Sequence, residues 1–219
     1  MNFEKYLQSD NCDLEGEDGL EKNRIEMLQR SEIEIGSKLD LALLILKRKE
    51  AAFLGNADII ESEEHKEKLE RKFQEEFCNI EEVLKETKLL YRATPPHDDQ
   101  GVYCFSFLVS GSENGLEKAI EAQKNKDDRS LGLLLGYPET AVDAYMTDKK
   151  FDYHKELPKD ELGKLEKEGV LPFLEFMPSR EHWKDELSWA KENQNLIKEK
   201  APSLYEETAM DNSKGEEQE

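Results

Sequence analysis

The sequence predicts an α+β fold, dominated by helices, with a small and mostly antiparallel sheet. Three observations indicate this class. Apolar residues recur every three or four positions over long stretches, which is typical of amphipathic helices. Two segments between residues 88 and 110 are rich in aromatic and β-branched residues, which is typical of strands. Helices come first along the chain, followed by a hairpin, more helices, one strand and a last helix.

The first part of the chain has the pattern of helices. Residues 15–54 are predicted to be helical with a break near Gly36, after which Ser37 would cap the next helix. The run Leu41–Leu46 is apolar around the whole helix, so it is expected in the middle of the core. Gly55 and the asparagine after it are interpreted as a helix stop.

The longest predicted helix runs from about Ser62 to Thr87. Glutamates in its first turn suit the positive end of the helix dipole. Its apolar residues form one stripe and the opposite face is Lys and Glu, so the helix is expected to lie on a core. The stripe consists of Leu69, Phe73, Phe77, Ile80 and Leu84.

A change of period after this helix predicts the sheet. The hairpin 88–110 has strands at 88–94 and 102–110, and the second is apolar on both faces, which favours a position inside a sheet covered by helices. Residues 170–177 are the third predicted strand, placed at an edge or a bulge because Pro172 lacks an N–H.

Helical patterns fill the rest of the second half. Three short helices are predicted within 113–146 and another over 158–168. A last helix is predicted from Pro178 to about Lys200, and Pro202 is expected to end it.

The domain organisation follows from charge and composition. Residues 1–23 and 206–219 each carry a net charge of −5. We expect 1–23 to be an acidic, partly ordered segment, 24–205 to be a single globular domain, and 206–219 to be a disordered acidic tail, because its last nine residues have no hydrophobic side chain.

Charge also excludes several classes of partner. The formal net charge is −20, which argues against binding to nucleic acid phosphates and to anionic membrane surfaces. No secretory signal and no apolar run of membrane-spanning length is found in the sequence. The three cysteines, Cys12, Cys78 and Cys104, are far apart and form no CxxC pair, which fits a reducing, cytoplasmic location.

The most distinctive segment is Leu131–Tyr145. It predicts two short helices that meet at a corner, with Gly136 in the left-handed conformation and Pro138 opening the second helix. One interpretation is a packed helical corner. The other makes Tyr137 and the start of the second helix a ligand contact.

This segment resembles an uncharacterised family of archaeal and bacterial proteins. That family's pattern is a leucine-rich helix, Gly-Tyr-Pro, and a second helix that begins with two cysteines. In this chain Thr140 and Ala141 stand where the cysteines would be, so the resemblance implies no thiol or metal role here, and it implies no known reaction. The later residues that are similar to the family are Phe176, Pro178, His182, Trp183 and Tyr205.

Other residues are candidates for a site. His182 and Glu186 are one helical turn apart and could act as an acid/base pair or metal ligands, although an ordinary helix surface is favoured. Trp183, with Tyr137, is the candidate ligand-binding residue. The loop His97-Asp98-Asp99 is interpreted as a polar hairpin tip rather than a cation site. Cys104 is expected to be an inert core residue.

Two functional hypotheses follow. The sequence has no P-loop, dinucleotide, serine-hydrolase or zincin motif, and no metal or cofactor is predicted. The favoured hypothesis is a non-enzymatic intracellular protein that binds a protein or a small molecule through the Gly-Tyr-Pro corner and the C-terminal helix. The alternative is an enzyme that uses His182, Glu186 and Tyr137.

Overall fold

Ten α-helices and three strands make up the part of the chain that the computed structural model describes, residues 17–215, with side chains described for residues 19–210. The predicted α+β class, dominated by helices and with a small antiparallel sheet, is confirmed. The elements are α1 (Glu17–Arg30), α2 (Ile35–Ile45), β1 (Ala51–Ile59), α3 (Glu63–Glu86), β2 (Leu90–Asp99), β3 (Val102–Ser110), α4 (Glu113–Asn125), α5 (Asp128–Leu134), α6 (Glu139–Met146), α7 (Tyr153–Glu156), α8 (Lys159–Lys167), α9 (Trp183–Lys200) and α10 (Pro202–Gly215).

The chain divides into two compact units, where the sequence predicts one domain over 24–205. The first unit ends at Glu121 and the second begins at Ala122. Within the predicted N-terminal segment 1–23, residues 1–16 lie outside the described residues and the remainder belongs to α1. Among the described residues, no helix has both the length and the apolar character needed to cross a bilayer.

The sheet of the first unit has the strand order β1-β3-β2, and both pairings are antiparallel. β3 is the central strand and the hairpin is confirmed. The loop is shorter than predicted, because β2 continues past a bulge at Pro95 and Pro96 as far as Asp99. Gln100 and Gly101 then form the turn with φ values of 54° and 91°, as two-residue hairpin turns require.

The third strand of the sheet is β1, where the sequence predicts the end of a helix. Ala52 and Leu54 are buried and Phe53 between them is exposed, which is the period of a strand. Gly55 is therefore not a helix stop. Its φ is 152°, and a Cβ atom there would lie 2.3 Å from the carbonyl oxygen of Phe105 on β3. The close approach of the two backbones requires glycine at this position.

Residues 170–177 do not form the predicted third strand. Leu171–Phe173 instead form one turn of 3-10 helix that contains Pro172. A short apolar run near a glycine and a proline fits a strand and a buried turn equally well by pattern alone, so the sequence does not separate the two. The buried residues of the run are Val170, Phe173, Leu174 and Phe176.

α3 confirms the predicted amphipathic helix. The hydroxyl of Ser62 caps its N-terminus by accepting a backbone hydrogen bond at 3.1 Å. The ring of Phe73 packs edge-on against Phe105, with centres 5.5 Å apart, and Phe77 stacks on Phe107 at 4.6 Å. Aromatic pairs of this kind contribute about 0.5–1.5 kcal/mol each beyond the burial of their area.

α2 contains the apolar run that the sequence places in the core, and the residues from Leu41 through Ile45 are all buried. The N-cap is Glu34, so the predicted cap residue Ser37 lies inside the helix. The buried ammonium of Lys49 pairs with Asp40, which compensates the charge that is removed from water.

The second unit contains α5 to α10. The three predicted helices within 113–146 are confirmed as α4 to α6, and the helix over 158–168 is confirmed as α8. The last predicted helix begins later than Pro178, at Trp183. Trp183 stacks on Phe151, with ring centres 5.5 Å apart, beside a small core cluster. The buried members of that cluster are Phe151, Leu157 and Leu165.

α10 occupies much of the tail 206–219 that the sequence predicts to be disordered. The helix predicted to end at Pro202 does end there, because α9 stops at Lys200; Pro202 then begins a further helix, α10, a position that suits its fixed φ. Leu204 and Thr208 are buried, and the Thr208 hydroxyl donates to the Leu204 carbonyl at 2.8 Å. Residues 216–219 lie outside the described residues.

Candidate functional site

The corner between α5 and α6 has the geometry that the sequence predicts. Gly136 has a φ of 80°, in the left-handed region. Its N–H donates to the carbonyl of Leu133 at 3.0 Å, and the N–H of Tyr137 donates to the carbonyl of Gly132 at 3.1 Å. These two bonds form a Schellman motif, which satisfies carbonyls that the end of α5 would leave unpaired. Pro138 is the N-cap of α6.

Side chains on both helices fix the corner. Gly132 is buried, and a Cβ atom there would lie 3.0 Å from the Val142 side chain, so α5 and α6 approach closely. Arg129 donates from Nε to Asp143 at 2.9 Å and from a terminal nitrogen to Glu139. The hydrogen bond with Asp143, followed by the one with Glu139, raises the pKa of Arg129. Both partners of Arg129 lie on α6.

A cavity of about 410 Å³ lies at this corner. Its walls come from α5, the corner residues, α6 and the segment 175–177. The lining is mostly aliphatic and aromatic, and the volume falls within the range of about 300–1,000 Å³ that is typical of ligand pockets. The lining residues are Asp128, Leu131, Gly132, Leu135, Tyr137, Ala141, Val142, Tyr145, Glu175, Phe176 and Met177.

Aromatic rings form one wall of the cavity. The centres of the Tyr137 and Phe176 rings are 5.7 Å apart. Trp189 on α9 packs edge-on against Phe176 at 5.4 Å, so α9 supports this wall. Tyr145 is 57% exposed, and the ammonium of Lys150 lies 5.2 Å from the centre of its ring. The wall therefore offers both apolar contact and ring faces that attract cations.

The charge of the lining is negative. Asp128, which is exposed, and Glu175, which is half-buried, are its charged residues, and no basic residue is among the described residues that line the cavity. The formal net charge of the whole chain is −20. An anionic ligand would therefore be repelled at this site and a cationic one attracted.

Glu186 has a structural position rather than an open one. Its side chain is 2% exposed. One carboxylate oxygen accepts a hydrogen bond from the Thr140 hydroxyl at 2.6 Å, and the other accepts from the backbone N–H of Ser179 at 2.6 Å. The carboxylate thus ties the start of α6 and the segment before α9 to α9 itself.

The other predicted site residues do not join Tyr137 in the cavity. His182 is exposed, and its backbone N–H donates to the Ser179 hydroxyl at 2.9 Å. Within the described part of the chain, no ion pair joins His182 to Glu186. Trp183 packs on Phe151 in the core cluster. Tyr137 is therefore the one predicted site residue among those that line the cavity.

Sequence reasoning misses the cavity wall formed by Glu175, Phe176 and Met177. The sequence predicts that they belong to a strand, and only Phe176 is marked, by its similarity to the archaeal and bacterial family. Their contribution depends on the turn that contains Pro172, which brings the following residues to the corner. Only the tertiary fold provides this information.

The hairpin residues of the first unit make no metal centre. Asp98 accepts hydrogen bonds from Lys66 at 2.8 Å and from the Gly101 N–H at 3.0 Å, and these bonds lower its pKa. Cys104 is half-buried rather than in the core, 3.9 Å from a ring nitrogen of His97, and burial raises the pKa of its thiol. No cluster of three or more His, Cys, Asp or Glu suited to a metal exists among the described residues, which do not include Cys12.

A second cavity, of about 290 Å³, lies in the first unit and is more polar. Three of its polar groups pair with one another: Lys72 lies 3.7 Å from Glu76, and the Asn56 amide donates to Glu76 at 3.3 Å. The corner cavity, with its apolar walls, is the stronger candidate for a binding site.

Comparison of the chain with protein-family models, with curated proteins and with solved structures gives no match. The resemblance of Leu131–Tyr145 to an archaeal and bacterial family therefore stays a prediction. The evidence on function comes from the chemistry of the site.

Proposed function

We propose that this protein is a non-enzymatic binding protein that takes up a ligand with an apolar body in the cavity at the Gly-Tyr-Pro corner. The observation that carries the proposal is the cavity itself, about 410 Å³ with mostly aliphatic and aromatic walls. A concave apolar site with a few polar groups is the usual form of a small-molecule pocket. Burial of the ligand's apolar surface would supply most of the binding free energy.

The helix α9, which is the last helix that the sequence predicts, takes part by supporting the cavity. Trp189 packs behind Phe176, and Glu186 holds Thr140 at the start of α6. Walls fixed by packing and by buried hydrogen bonds lose little conformational freedom when a ligand binds, which favours affinity.

The positions of the candidate catalytic residues favour binding over catalysis. An enzyme that used His182, Glu186 and Tyr137 would need these side chains to converge on one reacting atom. Both oxygens of Glu186 already accept hydrogen bonds, and His182 is exposed. Neither residue is among those that line the cavity with Tyr137.

The charge of the chain supports a partner that is neither nucleic acid nor membrane. A net charge of −20 opposes binding to phosphate backbones and to anionic lipid. We place the protein in the cytoplasm, with a small molecule or an apolar side chain of a protein partner as the occupant of the cavity.

A neutral probe and a matched pair of variants test this proposal. Leu131 lines the cavity, whereas Leu133 on the same helix is 38% exposed and is not a lining residue. We expect 4-phenylbutanol at ten times its Kd to stabilise the native chain by about 1.4 kcal/mol. This corresponds to a rise in melting temperature of about 3–6 °C for a chain of this size.

The Leu131→Trp variant should lose this rise, because the indole fills the cavity, and Leu133→Trp should retain it. Equal thermal shifts for the two variants would show that the probe binds elsewhere. No shift in the native chain at any soluble concentration of the probe would contradict the proposal.

A further inference from the structure

We infer that the corner cavity selects ligands that carry a cationic group, an amine or a quaternary ammonium, on an apolar body. The inference rests on the proposed function, since it names the class of ligand for the same site. Three features of the described residues support it: the negative charge of the lining, the hydrogen bonds that Arg129 makes to carboxylates outside the lining, and the aromatic wall.

The first feature is the charge of the lining. Asp128 and Glu175 stand among residues that are otherwise uncharged, and no cationic side chain is among the described lining residues. A carboxylate beside a partly apolar wall attracts a cation more strongly than one in open water does, because the effective dielectric constant is lower. Both charged side chains of the lining are therefore acidic, and their sign favours a positively charged head group.

The second feature is the state of Arg129, the residue next to Asp128. Its guanidinium donates to Asp143 at 2.9 Å and also to Glu139, both on α6. This cation is held by two carboxylates outside the lining, so its charge is already balanced there. The negative charge of Asp128 stays available for a ligand.

The third feature is the aromatic wall. The rings of Tyr137, Tyr145 and Phe176 are all part of the lining. The ammonium of Lys150 lies 5.2 Å from the centre of the Tyr145 ring, so a ring of this wall already attracts an alkylammonium group of the chain itself. Lys150 already occupies the Tyr145 ring and lies 3.7 Å from Asp148, so an ammonium ligand would use the other rings of the lining together with the charge of Asp128.

The size of the cavity limits the ligand. A volume of about 410 Å³ corresponds to about fourteen water molecules at roughly 30 Å³ each. One aromatic ring with a short alkyl chain and an ammonium head is therefore within its capacity. The aliphatic residues of the lining would contact the apolar body.

Isothermal titration calorimetry of the full chain with three probes of one shape tests the inference. The probes are 4-phenylbutylamine, 4-phenylbutanol and 4-phenylbutyrate at pH 7. We expect the amine to bind about tenfold more tightly than the alcohol, from the sum of one partly exposed ion pair and one cation–π contact. The carboxylate should bind most weakly.

Two variants assign the preference to the lining. The first is the double variant Asp128→Asn with Glu175→Gln. Its preference for the amine over the alcohol should fall to about threefold, because the aromatic contribution to amine binding stays. Its affinity for the alcohol should not change. The control is Glu166→Gln, which removes an exposed charge from α8 and should leave the tenfold preference intact.

The outcomes separate the inference from the proposed function. Equal affinity for the three probes, or a preference that the double variant does not reduce, overturns the selection of cations and leaves a neutral apolar pocket. Binding of none of the three probes to the native chain overturns the proposed function as well.

Discussion

At Gly136 the backbone takes a left-handed conformation, with φ at 80°, that side chains with a Cβ atom rarely adopt. We expect Gly136→Val to destabilise the fold by about 1–3 kcal/mol, because the strained backbone must be kept or the Schellman hydrogen bonds must be lost. Urea denaturation measures this change. The control is Gly163→Val on α8, where a Cβ atom meets open space, and its stability should change little. An unchanged stability for Gly136→Val would contradict the role of the corner.

Thr140 holds a buried carboxylate from another helix. Its hydroxyl donates to Glu186 at 2.6 Å, and Thr140→Val removes this donor at almost the same volume. We expect a loss of about 1.5–3 kcal/mol in the free energy of unfolding, the range for hydrogen bonds to charged groups. Thr147→Val is the matched control, since the Thr147 hydroxyl bonds a backbone carbonyl at an exposed position. Equal losses in both variants would contradict a special role for the Glu186 contact.

The hydrogen bond between Thr140 and Glu186 shows why the sequence predicts the wrong partner for Glu186. His182 and Glu186 are one turn apart, so the sequence suggests that they act as a pair. Glu186 instead bonds Thr140, which is 46 positions away, and no local pattern encodes such a partner. The sequence does predict Tyr137 as a site residue, because the glycine and the proline on either side of it fix the backbone there.

Among the elements, the amphipathic α3 was predicted almost to the residue, because its stripe is long and its cap residue is the usual one. The sequence does not predict β1, because only residues 51–54 are an apolar run, which directly follows a helical pattern and is followed by Gly55. The preference for a strand there comes from pairing with β3, which is a tertiary interaction that overrides local preference.

The position of Gly55 provides a test of β1. A Cβ atom at Gly55 would lie 2.3 Å from the Phe105 carbonyl oxygen, and its φ is 152°. We expect Gly55→Ala to cost about 2 kcal/mol or more, because both the strain and the clash act on the sheet. The control is Gly111→Ala, where a Cβ atom has no neighbour within 4 Å. Chemical denaturation of the two variants measures the difference, and a Gly55→Ala chain as stable as the control would contradict the pairing of β1 with β3.

For the molecule as a whole, charge gives the clearest expectation. A net charge of −20 should prevent binding to polyanions, because contacts to phosphate or sulfate groups depend on lysine and arginine. We expect no retention of the purified chain on heparin or DNA columns at physiological salt. Retention that decreases as salt is raised would contradict this expectation and would indicate a cationic surface that the net charge conceals.

The central claim is that the corner cavity binds an apolar ligand, and methyl NMR of the native chain tests it most directly. The spectrum would be followed during titration with 4-phenylbutylamine. We expect the largest shift changes at the methyl groups of Leu131, Leu135 and Val142, which line the cavity. The methyl groups of Ile33 and Ile80, which line the second cavity, should not change. Changes confined to Ile33 and Ile80, or no changes at saturating probe, would contradict the claim.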